Sequence, residues 1–436
     1  MNLSRALRLP APHIVSFTGA GGKTTAMFQL AHEYPQAIVT ATTHLGAWQT
    51  SFSDHHLAAA KLSDLEEIPA RGVTLITGGI EGERTKPVNQ EVLNWLHEKA
   101  KKLHIPLLIE SDGSRQKSLK APASHEPPIP EFADIVIVVA GLSVLGKPLT
   151  NDDVHRANVF SELSGLQINQ PITADTIIRM LKHPQGGLKN IPPSARRIAL
   201  LNQADTSELQ SVGGGMARNL FDHYDSIVVG SLKHHNLQTF ERTAGIILAA
   251  GRSTRYGAPK QVLEWKGKPF VRQVAETALQ AGLWPVVIVT GSHAAEVESC
   301  LKDLPVKVIH NPNYQQGQST SIQAGLQTLP QNIGAAVFLL ADQPQIPVEV
   351  IRALVDSHTQ EMQSIHAPLV LEDRRANPVL FDRDTFPDLL QLTGDIGGRA
   401  IFSKYKVEYI PWHDDILLLD VDNPEDYQRL VENEKL

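Results

Sequence analysis

Cysteine occurs once in the 436 residues, at Cys300, so no internal disulfide can form, which fits folding in a reducing cytoplasm. Cys300 sits in the helical-looking AAEVESCLKD and reads as a half-buried thiol. No run approaches the roughly 18 uninterrupted apolar residues that a membrane span needs. The opening MNLSRALRLPAPH has too short an apolar stretch for a secretory signal. Positive charge is not in excess: 40 Lys and Arg against 47 Asp and Glu leave a net charge of −7, which argues against nucleic acid as a main partner. Neither a convincing repeat nor a low-complexity tract interrupts the chain. The expectation is a cytoplasmic protein whose partners are neither a membrane nor a nucleic acid. Cations that meet an anionic ligand must therefore be concentrated locally.

The length suggests two to three domains at roughly 150 residues each. Apolar strands alternate with helical patterns, which argues for α/β folds with largely parallel sheets. Strands are expected at 13–17 (HIVSF), 37–43, 73–77, 106–111 (PLLIES), 134–140 (DIVIVVA) and 196–202, and a core-facing helix at 89–103. In the second half a helix is expected at 268–282, and strands at 285–290 (PVVIVT) and 335–341 (AAVFLLA). Residues 230–243 lack periodicity and read as a linker, giving domains at 1–235 and 243–436. The pairs His55-His56 and His234-His235 lack the spacing of zinc sites. Neighbours on an extended segment face opposite ways, so both pairs read as solvated.

Two glycine-containing turns carry the chemistry. Residues 245–260 read GIILAAGRSTRYGAPK, an apolar strand running into Ala249, Ala250 and Gly251, whose small side chains let a ligand approach the backbone. Arg252, Arg255 and Lys260 follow, three cations suited to triphosphate oxygens. The spacing is neither that of a P-loop nor that of a dinucleotide-binding turn. Residues 18–25 read TGAGGKTT between a strand and a helix. There Gly19, Gly21 and Gly22 would aim backbone N–H groups and a helix N-terminus at phosphate, Lys23 would neutralise charge and Thr24 could hold Mg²⁺. Asp112, beyond the strand PLLIES, is at once a candidate Mg²⁺ partner and an ordinary acidic turn residue. Asp342 ends a wholly apolar strand and would be desolvated without a cation, for which Mg²⁺ is the natural choice; the nearby PVEVIRALVDSH also makes it a candidate helix cap. The apolar ILLLDVD delivers Asp420 and Asp422 to a sheet edge in the same way.

These strings resemble known families. LAAGRSTRYGAPK is similar to the signature of nucleotidyltransferases with a Rossmann-like, GT-A-type α/β fold, and more narrowly to that of molybdenum cofactor cytidylyltransferases (MocA-like). VTG at 289–291, NPNYQQGQSTSIQAG at 311–325, LADQP at 340–344, RRANPVLF at 374–381, GDIGGR at 394–399 and DVDNPED at 420–426 extend the likeness through nearly the whole second half. TGAGGKTT resembles the loops of Mur-ligase-like ATP-binding proteins. KSLKAPASHEPPIP at 117–130, GLSVLGKPL, Val154-His155-Arg156 and LNQAD at 201–205 resemble YqeC-like proteins, thought to serve selenium-dependent molybdenum hydroxylases. LNQAD is also similar to the N-K-x-D element of GTPases, with Gln203 where lysine is usual.

The resemblance implies an N-terminal P-loop-like domain and a C-terminal Mg²⁺-dependent cytidylyltransferase using CTP and the molybdenum cofactor. Arg255, Lys260 and Asp342 would be catalytic, with Asp342 and Asp422 holding the metal. Leu248, Ala249, Ala250, Gly251, Gly291, Gly317, Ser319 and Ser321 would receive the nucleotide. Arg374, Arg375, Asn377, Asp395 and Arg399 would face the anionic acceptor. In the first domain, ATP or GTP is the expected ligand, and Lys120, His125, Glu126, His155 and Arg156 are candidates for a site that are equally read as ordinary polar residues. A molybdenum hydroxylase apoenzyme is the implied partner. A sugar or polyol phosphate acceptor, or a non-enzymatic cofactor carrier, are the competing readings.

Overall fold

A computed structural model describes residues 1–9, 13–65, 67–251, 256, 259–432. Arg252 and Arg255, two of the three cations expected beside Gly251, lie outside the described residues. The chain divides into two units, Met1–Phe240 and Glu241–Leu436.

The first unit is built on a nine-stranded sheet. From one edge its strands run Asn236–Phe240, Ser226–Ser231, Arg196–Asn202, Ile135–Gly141, Ile14–Gly19, Leu107–Glu110, Gln36–Ala41, Gly72–Thr77 and His55–Ala58. All neighbours are parallel except the Asn236–Phe240 pair. Ile135–Gly141 is buried along its whole length, as expected for parallel strands covered on both faces. Asn236–Phe240, expected to be linker, is the antiparallel edge strand. Its sequence NLQTF alternates exposed or half-buried positions with buried ones, a period of two too short to stand out among polar residues. His56, expected to be solvated, is half-buried and bonds Thr77 Oγ1 through Nε2 at 2.9 Å.

The second unit has a mixed sheet ordered Lys307–His310, Val286–Thr290, Arg242–Ala249, Ile333–Leu340, Val379–Asp382, Ile365–Val370 and Arg374–Arg375, with Val407–Trp412 pairing Ile365–Val370. Arg242–Ala249 lies centrally, parallel to both neighbours. Helices Phe270–Gln280, Gln318–Gln327 and Val348–Glu361 bury apolar stripes against the sheet. The ILLLDVD run is not a strand. Asp415–Leu418 is a 3₁₀ turn, and Gln345 Nε2 donates to the carbonyls of Ile416 and Leu419 at 3.2 and 2.6 Å. Those bonds give the run's carbonyls a partner without a sheet ladder.

Candidate functional site

In the second unit, strand register assembles the site. Leu248 pairs with Leu340, so the loop following Ala249 and the turn holding Asp342 leave the sheet side by side at the C-terminal ends of parallel strands, where α/β sheets gather ligands. Lys260 opens a 3₁₀ turn, Lys260–Val262, and reaches across both. Its ammonium donates to Asp342 Oδ2 at 3.0 Å and to Asp422 Oδ1 at 2.7 Å. Burial disfavours the ammonium, but Asp342 and Asp422 more than offset it and hold Lys260 above the ordinary lysine range. Asp342 does not cap the following helix: Val348–Glu361 has Pro347 at its N-cap. Asp420 turns away to Gln343, and burial together with the neighbouring Asp342 raises its pKa.

A cavity of about 470 Å³ opens over this cluster. Leu248, Ala250, Gly251, Lys260, Gly317, Ser321, Asp342, Asp395 and Asp422 reach its walls, joined by Gln261, Tyr314 and Gln318, which the sequence reading did not single out. Gln261 Nε2 bonds the Gly251 carbonyl at 2.9 Å and fixes the loop. Gly317 has φ +115°, and a Cβ there would lie 2.3 Å from the Gly394 carbonyl. That contact explains why glycine opens the helix Gln318–Gln327: it lets the 394–399 loop dock, with Gln318 N bonding Asp395 Oδ1 at 3.2 Å.

The other expected residues lie around this cavity or away from it. Ala249 is buried, and a Cβ at Gly291 would meet the Ala250 carbonyl at 2.5 Å. Ser319 is fully buried and spends its hydroxyl on the Gly394 carbonyl at 2.7 Å. Asn377 and Arg399 line an adjoining cavity of about 290 Å³ that shares Leu248, Gln318 and Leu340 with the first. Arg375 lies over the rings of Phe402 and Tyr409. Arg374 is exposed, and like Arg375 lines neither cavity.

The donor set suits a magnesium ion. Two carboxylates converge on one cationic point, now taken by an ammonium, and Mg²⁺ is typically held by one or two carboxylates with waters and substrate phosphates completing the shell. Among the described residues no cluster of three or more His, Cys, Asp or Glu side chains offers a self-sufficient metal cage.

In the first unit, Phe17 pairs with Glu110 and Gly19 with Val139, placing loop 19–25 beside residues 110–113. Positive φ angles at Gly19, Gly21 and Gly22 and backbone within 2.2 to 2.4 Å of a Cβ at the first two explain those glycines. Helix Lys23–Ala31 begins without a side-chain cap, leaving first-turn N–H groups that the helix itself cannot satisfy. Lys23 is buried, bonding the Gly19 carbonyl at 2.8 Å and lying 3.3 Å from Asp112 Oδ1. Thr24 Oγ1 donates to Glu110 Oε2 at 2.7 Å. Burial raises the pKa of Glu110, opposed by Lys23.

Asp112 is no exposed turn residue. It is 1% exposed and accepts from Thr18, Gly19 N and Lys120. Lys120 continues to Glu126 at 2.8 Å, which Arg156 grips bidentately at 2.8 and 2.9 Å. Burial pushes Glu126 up, but the bonds from Arg156 and Lys120 prevail and hold it at about 2. Burial, with Arg156 and Lys120 adding to it, depresses His155 to about 4. His125 is exposed and stands outside this network.

Comparison with known proteins agrees with this division. Residues 15–158 match the YqeC protein family and residues 245–409 the MobA-like NTP transferase domain. The uncharacterised protein YqeC of Escherichia coli is 30% identical over 51% of this chain and 89% of its own length. The chain belongs to both families. For the second unit, nicotine blue oxidoreductase of Paenarthrobacter nicotinovorans is 31% identical over 43% of this chain and 95% of its own. A probable molybdenum cofactor guanylyltransferase of Bacillus cereus is 28% identical over 31% and 66%. The MobA-like unit is thus a nucleotidyltransferase domain, and no helix among the described residues is long and apolar enough to cross a membrane.

Proposed function

We propose that the second unit is a cytidylyltransferase that moves CMP from CTP to the terminal phosphate of a molybdopterin-type cofactor. One observation carries this reading: Lys260, Asp342 and Asp422 converge beneath a small-residue loop in a single cavity. A phosphate oxygen of the acceptor attacks the α-phosphorus, the bond from that phosphorus to the bridging oxygen breaks, and pyrophosphate leaves. The attacking phosphate is already ionised at neutral pH, so no general base is needed, and alignment with charge neutralisation supplies the rate. Mg²⁺ held by Asp342 and Asp422 would screen the triphosphate's negative charge. With that metal in place Lys260 would release its carboxylates and turn to phosphate oxygens; Arg255, outside the described residues, is the second cation the family resemblance implies. Leu248, Ala250 and Gly251 offer backbone to the base, and the Ala250 methyl narrows the wall in favour of cytosine over the larger guanine. Asn377 and Arg399, in the adjoining cavity, receive the anionic acceptor.

The partial match to a molybdenum cofactor guanylyltransferase supports the pterin acceptor, and the YqeC unit supports a role in molybdenum hydroxylase maturation. In that unit, loop 19–25 with Lys23 and Thr24 is read as a phosphate site. The competing reading keeps the nucleotidyl transfer and moves it to a sugar or polyol phosphate acceptor. A pyrophosphate-release assay across the four ribonucleoside triphosphates, with the cofactor and with simple sugar phosphates as acceptors, separates these readings. Release with CTP and cofactor supports the proposal, and release only with sugar phosphates moves the acceptor.

A further inference from the structure

The cavity above loop 19–25 is far larger than a phosphate needs. It measures about 1010 Å³ and is walled on one side by Gly22, Lys23, Thr24 and Glu110, on another by Trp48 and Phe52. Those two rings are 57% and 40% exposed, although large apolar side chains are normally buried. They are nonetheless ordered against their surroundings. Trp48 meets Phe52 edge to face at 5.4 Å, and Phe52 meets Phe28 of the helix Lys23–Ala31 at 5.5 Å. Gln49, from the same 3₁₀ turn Ala47–Phe52, donates to Thr24 Oγ1 at 3.2 Å. The aromatic turn is therefore bonded to the start of the glycine-loop helix. Arg84, Arg115 and Lys117 add cations to the same cavity.

We infer that the first unit binds a nucleoside triphosphate, with its base stacked on Trp48 and its phosphates on the amides of loop 19–25, Thr24 and Glu110 facing its magnesium. The inference rests on the phosphate reading of that loop and adds the base site. A polyphosphate alone would use the amides and cations and have no use for two exposed rings. Flat π faces stack on every base, so the shelf admits ATP and GTP alike. Asn202 reads no base: its amide donates to the Gly21 carbonyl at 2.7 Å and its carbonyl accepts from Leu232 N at 3.1 Å.

Calorimetric titration of the full chain with ATP, GTP and inorganic tripolyphosphate, each with Mg²⁺, tests this. Binding at the second unit is common to all first-unit variants and drops out of the comparison. Trp48→Ala should weaken ATP and GTP by about tenfold, the size expected for losing one base stack, and leave tripolyphosphate unchanged, while Trp48→Phe should restore most of the nucleotide affinity. Lys23→Met should weaken all three ligands; because Lys23 is buried its unfolding curve is recorded, and Thr24→Ala replaces it if that variant does not fold. Unchanged nucleotide binding by Trp48→Ala, with Lys23→Met still impaired, overturns the base site and spares the phosphate reading. If neither Lys23→Met nor Thr24→Ala alters any ligand, both fall.

Discussion

Lys260 Nζ lies 3.0 Å from Asp342 Oδ2, so an ammonium holds the position where the proposed metal would bind. The same ammonium bonds Asp422 at 2.7 Å, and with 11% of its side chain exposed it is far better shielded from water than a surface pair. Two carboxylates facing one point repel each other unless a cation lies between them. Lys260 fills that role here, and the proposed metal would have to displace it.

Replacing the lysine therefore moves two observables in opposite directions. Lys260→Met should tighten Mn²⁺ binding in the absence of nucleotide, because the carboxylates lose their competing cation. It should also lower the transfer rate by about a hundredfold, the scale of losing one preorganised charge at a reacting phosphate. A metal titration and a pyrophosphate assay on one preparation check both. Weaker metal binding by the variant contradicts the competition.

Gly317→Ala should damage the nucleotide wall. The new methyl would sit 2.3 Å from the Gly394 carbonyl at a φ of +115°, so the 394–399 loop must move or the helix start must distort. A loss of about 2 kcal/mol or more is expected from such strain, with a raised KM for nucleotide because Gln318 and Asp395 lose their bond. Urea unfolding and initial rates measure the two effects.

The first unit should weaken in acid, with the buried pairs as the cause. Glu126 titrates at about 2 and His155 at about 4 in the folded chain, both below their ordinary values. The unfolded chain therefore binds more protons across that interval, and stability rises with pH there. The contribution of these two groups is complete above pH about 6.5, falls toward pH 4 as the unfolded histidine protonates, and falls again between about 4.5 and 2 as the Glu126 network is lost. Glu126→Gln should remove the lower step and cost about 3 kcal/mol at neutral pH by leaving Lys120 and Arg156 without their carboxylate. Hydrogen exchange resolved over residues 119–156 at pH 7, 5 and 3 reads both.

Much of the architecture is legible in the chain because buried parallel strands must be apolar throughout. IVIVVAG and IGAAVFLL announce themselves, and the turn after the second brings Asp342 and Gln343 to the sheet edge. Local pattern is blind to what tertiary bonds decide. NLQTF is an edge strand with few apolar residues, and ILLLD, apolar enough for a strand, gives its carbonyls to Gln345 instead. Ser319 stands in the motif but is drawn inward by Gly394, whereas Arg375 is engaged by the rings of Phe402 and Tyr409. Gln261 carries no sequence signal, because an amide that steadies a loop looks like any surface glutamine, and Gln318 is one of several glutamines in its string. Trp48 and Phe52 lie in a stretch with no motif, and only the fold sets them over the glycine loop.

The central claim is that the cluster of Lys260, Asp342 and Asp422 serves nucleotidyl transfer from CTP. Its most direct test is pyrophosphate release by the full chain with Mg²⁺, CTP and a molybdopterin-type cofactor, run beside Asp342→Ala. The account expects release from CTP in preference to the other three ribonucleotides and none from the variant. Equal release by Asp342→Ala, or consumption of the cofactor with CTP left whole, would contradict it.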